Sequence, residues 1–263
     1  MTAQKSIFIT GAGRGIGKAT AQLFAQKGWF IGLCDINQME LEALANGLGQ
    51  SNCSVHLADV RKVEEVEKAV NAFGDKTNGQ MHVLFNNAGI LYSGGFENLS
   101  LEKHRAIVEV NFIGQMNVTH CALPLLKATP NSTVITMGSA SAIYGNPELT
   151  AYAATKSAVQ SLTEGWNLLF KKHGIHVTDI NPAYVRTAMV SDVQEAMALP
   201  DKEVKLSTER IAQAVWKAAY SKKVHHYIGG DAQLFRWAKK LLPHSIFLAI
   251  LKRVAYQEAL QKN

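Results

Sequence analysis

Cysteine is scarce in this sequence, and its spacing argues against a disulfide framework or a structural metal site. Cys34, Cys53 and Cys121 are the 3 cysteines of a 263-residue chain, and none belongs to a CxxC pair. Such usage is typical of a reducing compartment. The first residues, MTAQK, lead into a strand signal without the apolar stretch of a secretory signal. We therefore expect a cytoplasmic protein whose cysteines lie in the core.

Long charged blocks and linkers are also missing. The net charge is +6, but no block of about five or more consecutive Lys and Arg residues occurs, which argues against a nucleic-acid surface. No stretch rich in Pro, Gly or Ser, no internal repeat and no low-complexity tract divides the chain. With 47% hydrophobic and 18% charged residues, the composition predicts one globular domain that binds no nucleic acid.

A metal site is not predicted, although the chain has 9 histidines. His225 and His226 are consecutive in the strand-like VHHYIGG, so their side chains should point to opposite faces and cannot share an ion. His173 and His176 stand at a predicted helix-to-strand turn, where a metal site is again not expected.

The first strong pattern is a strand, a glycine turn and a helix in succession. The β-branched run SIFIT precedes TGAGRGIG, and KATAQLFAQKG follows with helical spacing. Gly11, Gly15 and Gly17 let the backbone turn tightly and approach a pyrophosphate, while the helix N-terminus offers free N–H groups. The pattern predicts a dinucleotide site, with an ordinary structural turn as the alternative.

A second strand signal, FIGLCD, ends at Asp35, whose carboxylate can accept hydrogen bonds from the adenosine ribose hydroxyls. This favours NAD, because the carboxylate would repel the 2′-phosphate of NADP. Arg14 in the glycine loop is the complication, since a basic residue there can meet that phosphate. It can equally be a solvated loop residue or a neighbour of the diphosphate. Ile36 supplies no second cation, so we predict NAD, with NADP as the weaker alternative.

A group of reactive side chains lies between Ser139 and Lys156. Tyr152 and Lys156 are four residues apart in a helix-forming segment and should share one helical face. A cation roughly 5 Å from a phenol, at an effective dielectric of about 20, favours tyrosinate by ~3 kcal/mol and should lower its pKa from ~10 by about 2. Ser139 follows the strand-like STVITMG, at a strand's end. We expect an acid–base site, a chance helical pair being the alternative.

Together these motifs resemble the short-chain dehydrogenase/reductase family, from Lys5 to about Gly229. The resemblance implies that Ser139, Tyr152 and Lys156 are catalytic. It also implies that Asn111, in the VNFIG segment of a long predicted helix, opens that helix and completes a proton relay from the lysine. An exposed helical asparagine is the alternative.

The resemblance implies a larger set of cofactor contacts. Asp59 and Val60 resemble the pair beside the adenine, and Asp59 is also a candidate helix N-cap. The NNAG turn resembles the family's turn along the ribose edge, where Asn86 and Gly89 are expected to touch the cofactor. In the PGxVxT-like segment, Ala183 replaces the usual glycine. The full set of expected contacts is Gly11, Arg14, Gly15, Ile16, Gly17, Asp35, Asp59, Val60, Asn87, Ala88, Gly89, Tyr152, Lys156, Pro182, Val185 and Thr187.

The order of strand and helix signals predicts an α/β fold with a doubly wound, mostly parallel, seven-stranded, Rossmann-like sheet and helices on both faces. Residues 1–230 should form one catalytic domain with a substrate lid at about 188–206. Apolar lid residues predict a lipid-like or alicyclic alcohol or ketone as substrate; they are Met189, Val193, Met197, Ala198 and Leu199.

Residues 231–263 read as an amphipathic helical extension of the same domain. Pro243 should break or bend its helix. A charge-free run of eleven residues, Leu241 to Leu251, is far shorter than the ~20 needed to cross a bilayer. The extension should pack on its own domain or in a homodimer or homotetramer, with a lid role or peripheral contact with an anionic membrane as alternatives. Its predicted apolar face comprises Leu234, Phe235, Trp237, Ala238, Leu241 and Leu242, opposite Arg236, Lys239 and Lys240.

The predicted reaction is reversible hydride transfer between a nicotinamide and an alcohol or carbonyl carbon. Tyr152 would move the proton, Ser139 would bind the substrate oxygen, and Lys156 would lower the phenol pKa and bind the nicotinamide ribose. Two alternatives are a catalytically idle nucleotide-binding regulator of the same fold and a methyltransferase on a similar sheet.

Overall fold

A single parallel sheet organises the computed structural model, which describes residues 4–183, 185 and 206–260. Its seven strands lie in the order β3-β2-β1-β4-β5-β6-β7. They are β1 Ser6–Thr10, β2 Phe30–Asp35, β3 Cys53–Leu57, β4 Val83–Asn86, β5 Thr133–Met137, β6 His176–Pro182 and β7 His225–Ile228. Every neighbouring pair is parallel. The predicted doubly wound α/β sheet is therefore confirmed.

Helices cover both faces of this sheet. The α-helices are α1 Gly15–Gln26, α2 Gln38–Leu48, α3 Val63–Lys76, α4 Leu101–Val108, α5 Gly114–Lys127, α6 Thr150–Phe170, α7 Thr208–Ala218, α8 Gly230–Leu241 and α9 His244–Leu260. Alternate strand residues face opposite cores. Ile7 and Ile9 pack with residues of α1, α2 and α7, whereas Phe8 packs with residues of α3 and α5. Burial on both sides explains why the strands are continuous apolar runs.

The C-terminal extension is two helices separated at Pro243, as predicted. Its apolar face divides into two halves. Phe235, Ala238 and Leu242 pack in a small cluster with Ile143, Phe247 and Leu251. Leu234, Trp237 and Leu241 are 68%, 49% and 72% exposed, so the expected single face is only half covered. Among the residues described, no helix is long and apolar enough to cross a bilayer.

Candidate active site

The glycine turn between β1 and α1 is tightly packed. Gly11 and Gly15 adopt φ of +65° and +56°, which glycine tolerates best. A Cβ on Gly17 would lie 2.0 Å from the carbonyl oxygen of Gly11, so only hydrogen fits there. Exposed Arg14 is the N-cap of α1 and makes no side-chain cap hydrogen bond. The first-turn N–H groups therefore suit the pyrophosphate of a dinucleotide.

Asp35 is held beside this turn by backbone donors. One carboxylate oxygen accepts a hydrogen bond from Gly13 N at 2.9 Å, and the other accepts from Ile36 N at 2.8 Å and from Asn37 N at 3.2 Å. The carboxylate stays partly exposed at the carboxyl end of β2. This position fits an acceptor for the adenosine ribose hydroxyls.

Asn87 and Ala88 join the turn after β4 to the turn after β1. Their backbone N–H groups both donate to Thr10 Oγ1 at 3.1 Å. The side chain of Asn87 donates to the carbonyls of Thr10 at 3.0 Å and Gly11 at 2.9 Å. Asn87 and Ala88, both predicted cofactor contacts, thus hold the glycine turn in place through hydrogen bonds to Thr10 and Gly11.

Two polar residues make contacts that the sequence did not predict. Asn86 is 0% exposed, and its amide donates to Thr119 Oγ1 at 2.8 Å, so its side chain points into α5. Asp59 is not the N-cap of α3, a position held by Lys62. Asp59 instead pairs with Arg61 at 2.6 Å, and this hydrogen bond lowers the pKa of its carboxyl group.

The remaining predicted cofactor contacts lie near the strand ends. Val60 is buried, and a Cβ on Gly114 would lie 2.6 Å from its Cγ2. Pro182 ends β6, and Val185 forms a parallel bridge with Leu206.

Ala183, where the family motif has glycine, needs no unusual backbone. Among the described residues only Asn78 and Asn131 combine a side chain with positive φ. Ala183 N donates to Ile228 O at 3.0 Å, which ties it to β7. Thr187 and residues 188–205 of the predicted lid lie outside the described residues.

Asn111 lies in a break between α4 and α5. The predicted long helix contains a π-helical turn, Glu109–Ile113, with Asn111 in its middle. Asn111 Oδ1 accepts from Ile90 N at 2.8 Å, and Nδ2 donates to Ile90 O at 2.9 Å. A Cβ on Gly89 would lie 3.2 Å from Asn111 Oδ1 and 3.8 Å from Lys156 Nζ. Because the Asn111 side chain is buried, the alternative of an exposed helical asparagine is wrong. The helix is opened at Asn111, as the family resemblance implied.

Ser139, Tyr152 and Lys156 meet where β5 ends and α6 begins. Lys156 Nζ donates to Met137 O at 2.8 Å and lies 5.4 Å from the centroid of the Tyr152 ring. The side chains of Tyr152 and Ser139 are hydrogen-bonded to each other. Ser139 Oγ also accepts from Ser141 N at 3.1 Å. The structure thus brings the three predicted residues into one group.

The electrostatics of this group differ from the expectation. Burial raises the pKa of Tyr152, and its hydrogen bond with Ser139 only partly offsets this. Burial also lowers the pKa of Lys156 to about 8. The predicted lowering of the phenol pKa is wrong here, because loss of water disfavours the charged form of both groups.

The side chain that holds the backbone of Ser139 was not predicted from the sequence. Asn181 Oδ1 accepts from Ser139 N at 3.1 Å and from Gln160 Nε2 at 3.0 Å. A Cβ on Gly138 would lie 2.1 Å from this oxygen, so glycine makes room for it. The available signal was an asparagine at the end of a predicted strand, directly before Pro182 of the PGxVxT-like segment.

Comparison with known proteins decides the family. The sequence model of the short chain dehydrogenase family matches residues 5–198. The chain belongs to the short-chain dehydrogenase/reductase family. Members of this family are oxidoreductases with a nicotinamide cofactor, and the glycine turn, Asp35 and the Asn87 bridge fit such a group.

Individual family members support the assignment. The chain is 35% identical to oxidoreductase UcpA of Salmonella typhimurium over 80% of each protein. It is 32% identical to cyclohexanol dehydrogenase of Acinetobacter sp., over 73% of this chain and 77% of the relative. The crystal structure of 3-ketoacyl-(acyl-carrier-protein) reductase from Brucella melitensis complexed with NADH is 27% identical, has a TM-score of 0.79, and is matched over 87% of this chain and 98% of its own.

Proposed function

We propose that this protein is an NAD-dependent dehydrogenase/reductase that moves a hydride between the nicotinamide and an alcohol or carbonyl carbon. The observation that carries the proposal is the meeting of Ser139, Tyr152 and Lys156 at one end of the sheet, with Asn111 beside the lysine. The cofactor, when bound, accepts or supplies the hydride at C4 of its nicotinamide. The residues of this chain handle the substrate oxygen and its proton.

Tyr152 is the acid–base group of the proposed mechanism. During oxidation its oxygen takes the hydroxyl proton while the phenol's own proton passes to the neutral amine of Lys156 and the hydride leaves the carbinol carbon, and during reduction the phenol returns a proton to the carbonyl oxygen. Ser139 donates a hydrogen bond to the same substrate oxygen and stabilises its negative charge.

Lys156 has a second task in this mechanism besides binding the nicotinamide ribose. With a pKa of about 8, its amino group gains and loses a proton readily near neutral pH. It can therefore pass protons between Tyr152 and solvent. Asn111 anchors the opened helix turn along this path.

An apolar substrate, either alicyclic or lipid-like, is part of the proposal. The apolar composition of the lid sequence supports it, as do the names of the cyclohexanol and 3-ketoacyl relatives. The test is turnover with a panel of cyclic and straight-chain alcohols and ketones, with NAD and NADP in parallel. Faster turnover of small polar alcohols would contradict this substrate class.

The two other functional classes have no support. The family match is to oxidoreductases, and the four residues of the proposed mechanism are all present. A methyltransferase would leave the Tyr152, Lys156 and Asn111 contacts without a purpose, and an idle regulator would not need them.

NAD preference is the first testable consequence. Because Asp35 accepts three backbone hydrogen bonds at the end of β2, its carboxylate should repel a 2′-phosphate. We expect kcat/KM to be at least about tenfold higher with NAD than with NADP. Asp35→Ala should narrow this ratio, whereas Arg14→Ala should keep it. A wild-type enzyme that prefers NADP would show that Arg14 dominates.

We also propose that residues 1–230 form one catalytic domain in a homodimer or homotetramer, with residues 231–263 as its extension. The packing of Phe247 and Leu251 on Ile143 supports the extension as part of the domain. Exposed Leu168 and Leu169 on α6 suit a subunit contact. Three free cysteines support a reducing, cytoplasmic location.

The exposed half of α8, continued by α9, is proposed to contact anionic membranes. In the part of the chain that the structure describes, several apolar side chains of this surface are exposed, and the charged residues near them are mostly basic. The exposed apolar set is Leu234, Trp237, Leu241, Ile246, Leu248 and Ile250, and the basic set is Arg236, Lys239, Lys240 and Lys252. Two copies of such a surface would bring like charges together, whereas an anionic lipid surface complements them.

Vesicle binding tests this surface. The full-length protein should sediment with phosphatidylserine-containing vesicles and much less with pure phosphatidylcholine. Trp237→Ser combined with Leu241→Ser should reduce binding about tenfold, while Val55→Ser with Leu57→Ser, exposed apolar residues on the edge strand β3, should not. Unchanged vesicle binding by the first variant would overturn the proposal. A fall in its oligomer mass would assign the surface to a second copy.

A further inference from the structure

A buried carboxylate lies behind the proposed active site. Asp179 on β6 is 0% exposed, although an isolated carboxylate is costly to bury. One of its oxygens accepts a hydrogen bond from His225 Nδ1 at 2.8 Å, and the other accepts from the amide of Asn181. Asp179 pairs with His225 in the sheet register, and Asn181 pairs with Tyr227, so the four residues share one face.

The carboxylate determines which way the Asn181 amide points. An ionised carboxylate only accepts hydrogen bonds, so the NH₂ group of Asn181 must face Asp179. Its oxygen is then turned toward Ser139 N at 3.1 Å, with Gln160 Nε2 at 3.0 Å as a second donor. The backbone position of Ser139 therefore depends on the contact between Asn181 and Asp179, which lies two residues before Asn181 on β6.

His225 connects this arrangement with the surface. Its Nε2 lies 3.1 Å from Glu164 Oε1 on α6, and the Glu164 side chain is 64% exposed. The hydrogen bond with Asp179, followed by that with Glu164, raises the pKa of His225, while burial raises the pKa of Asp179. The imidazole and the amide of Asn181 are thus donors that compensate the buried carboxylate.

We infer that Asp179 and His225 are positioning residues for Ser139. His225 holds the carboxylate of Asp179, Asp179 holds the amide of Asn181, and Asn181 holds the backbone of the serine. Neither Asp179 nor His225 belongs to the catalytic group. This inference rests on the proposed role of Ser139 as the residue that binds the substrate oxygen.

Two substitutions of His225 separate its contacts. His225→Asn places an amide nitrogen near the position of Nδ1 and keeps a donor to Asp179. His225→Gln places it near Nε2 and keeps only the contact with Glu164. We expect His225→Gln to lower kcat about tenfold with the KM for NAD within about twofold of wild type, and His225→Asn to restore most of the loss. His226→Gln, the adjacent change, should have no such effect.

Amide hydrogen exchange at Ser139 gives a readout that does not require turnover. The exchange should be faster in His225→Gln than in wild type or His225→Asn, because the Asn181 acceptor is less firmly held. Equal kcat and equal Ser139 exchange in the Asn and Gln variants would overturn the positioning role. The serine's own role fails separately if Ser139→Ala keeps full turnover, and the exchange result still tests the contact chain in that case.

Discussion

Tyr152→Phe should reduce kcat by at least about a thousandfold and leave the affinity for NAD within about twofold of wild type. The phenyl ring can keep its place beneath Lys156, whose Nζ lies 5.4 Å from the ring centroid. The change removes the hydroxyl that is hydrogen-bonded to Ser139 and that moves the proton in the proposed mechanism. Binding and turnover should therefore separate completely.

Cofactor titration and steady-state turnover measure the two effects independently. Tyr220→Phe is a suitable control, because this tyrosine lies among Trp29 and Trp216, in the aromatic cluster beneath α7. It should keep full activity. Turnover of Tyr152→Phe within tenfold of wild type would show that another group supplies the proton.

Gly17→Ala should weaken NAD binding at least about a hundredfold and lower the free energy of unfolding by about 2–3 kcal/mol. Its added methyl group would lie 2.0 Å from the Gly11 carbonyl oxygen and 2.8 Å from Asn87 Nδ2. Neither neighbour can move without opening the turn that is expected to receive the pyrophosphate. The same steric clash should therefore lower both the free energy of unfolding and the affinity for NAD.

Gly165→Ala provides the matched control for this substitution. Gly165 lies within α6, and a Cβ there would meet no atom within 4 Å. Alanine should stabilise that helix by up to about 1 kcal/mol and leave NAD affinity unchanged. Thermal unfolding and calorimetric titration of both variants give the comparison. If Gly17→Ala binds NAD like wild type, the glycine turn is not the pyrophosphate site.

Features set by local pattern were predictable from the sequence. β1 and β2 have the predicted bounds because apolar β-branched runs end at a glycine turn and at Asp35, and such boundaries depend little on the rest of the fold. The break at Pro243 follows from the missing N–H of proline.

Features set by burial were not predictable in this way. The sequence places Lys156 one turn from Tyr152, but only the fold shows that both lose water, which reverses the expected pKa change. The same limit explains Asn86, whose position in a buried strand directs its amide to Thr119. Asn181 was missed because its partner, Ser139, lies 42 residues away.

The π-helical turn at Glu109–Ile113 affects how relatives of this protein should be aligned. A π turn holds one residue more than an α turn. The segment that joins α4 to α5 therefore contains one residue more than a continuous α-helix would. A relative with one residue fewer between Val108 and Gly114 could form an uninterrupted α-helix and would lose the Asn111 hydrogen bonds with Ile90. A single-residue gap at this place would therefore mark a relative without the proposed proton relay, even where its tyrosine and lysine are retained.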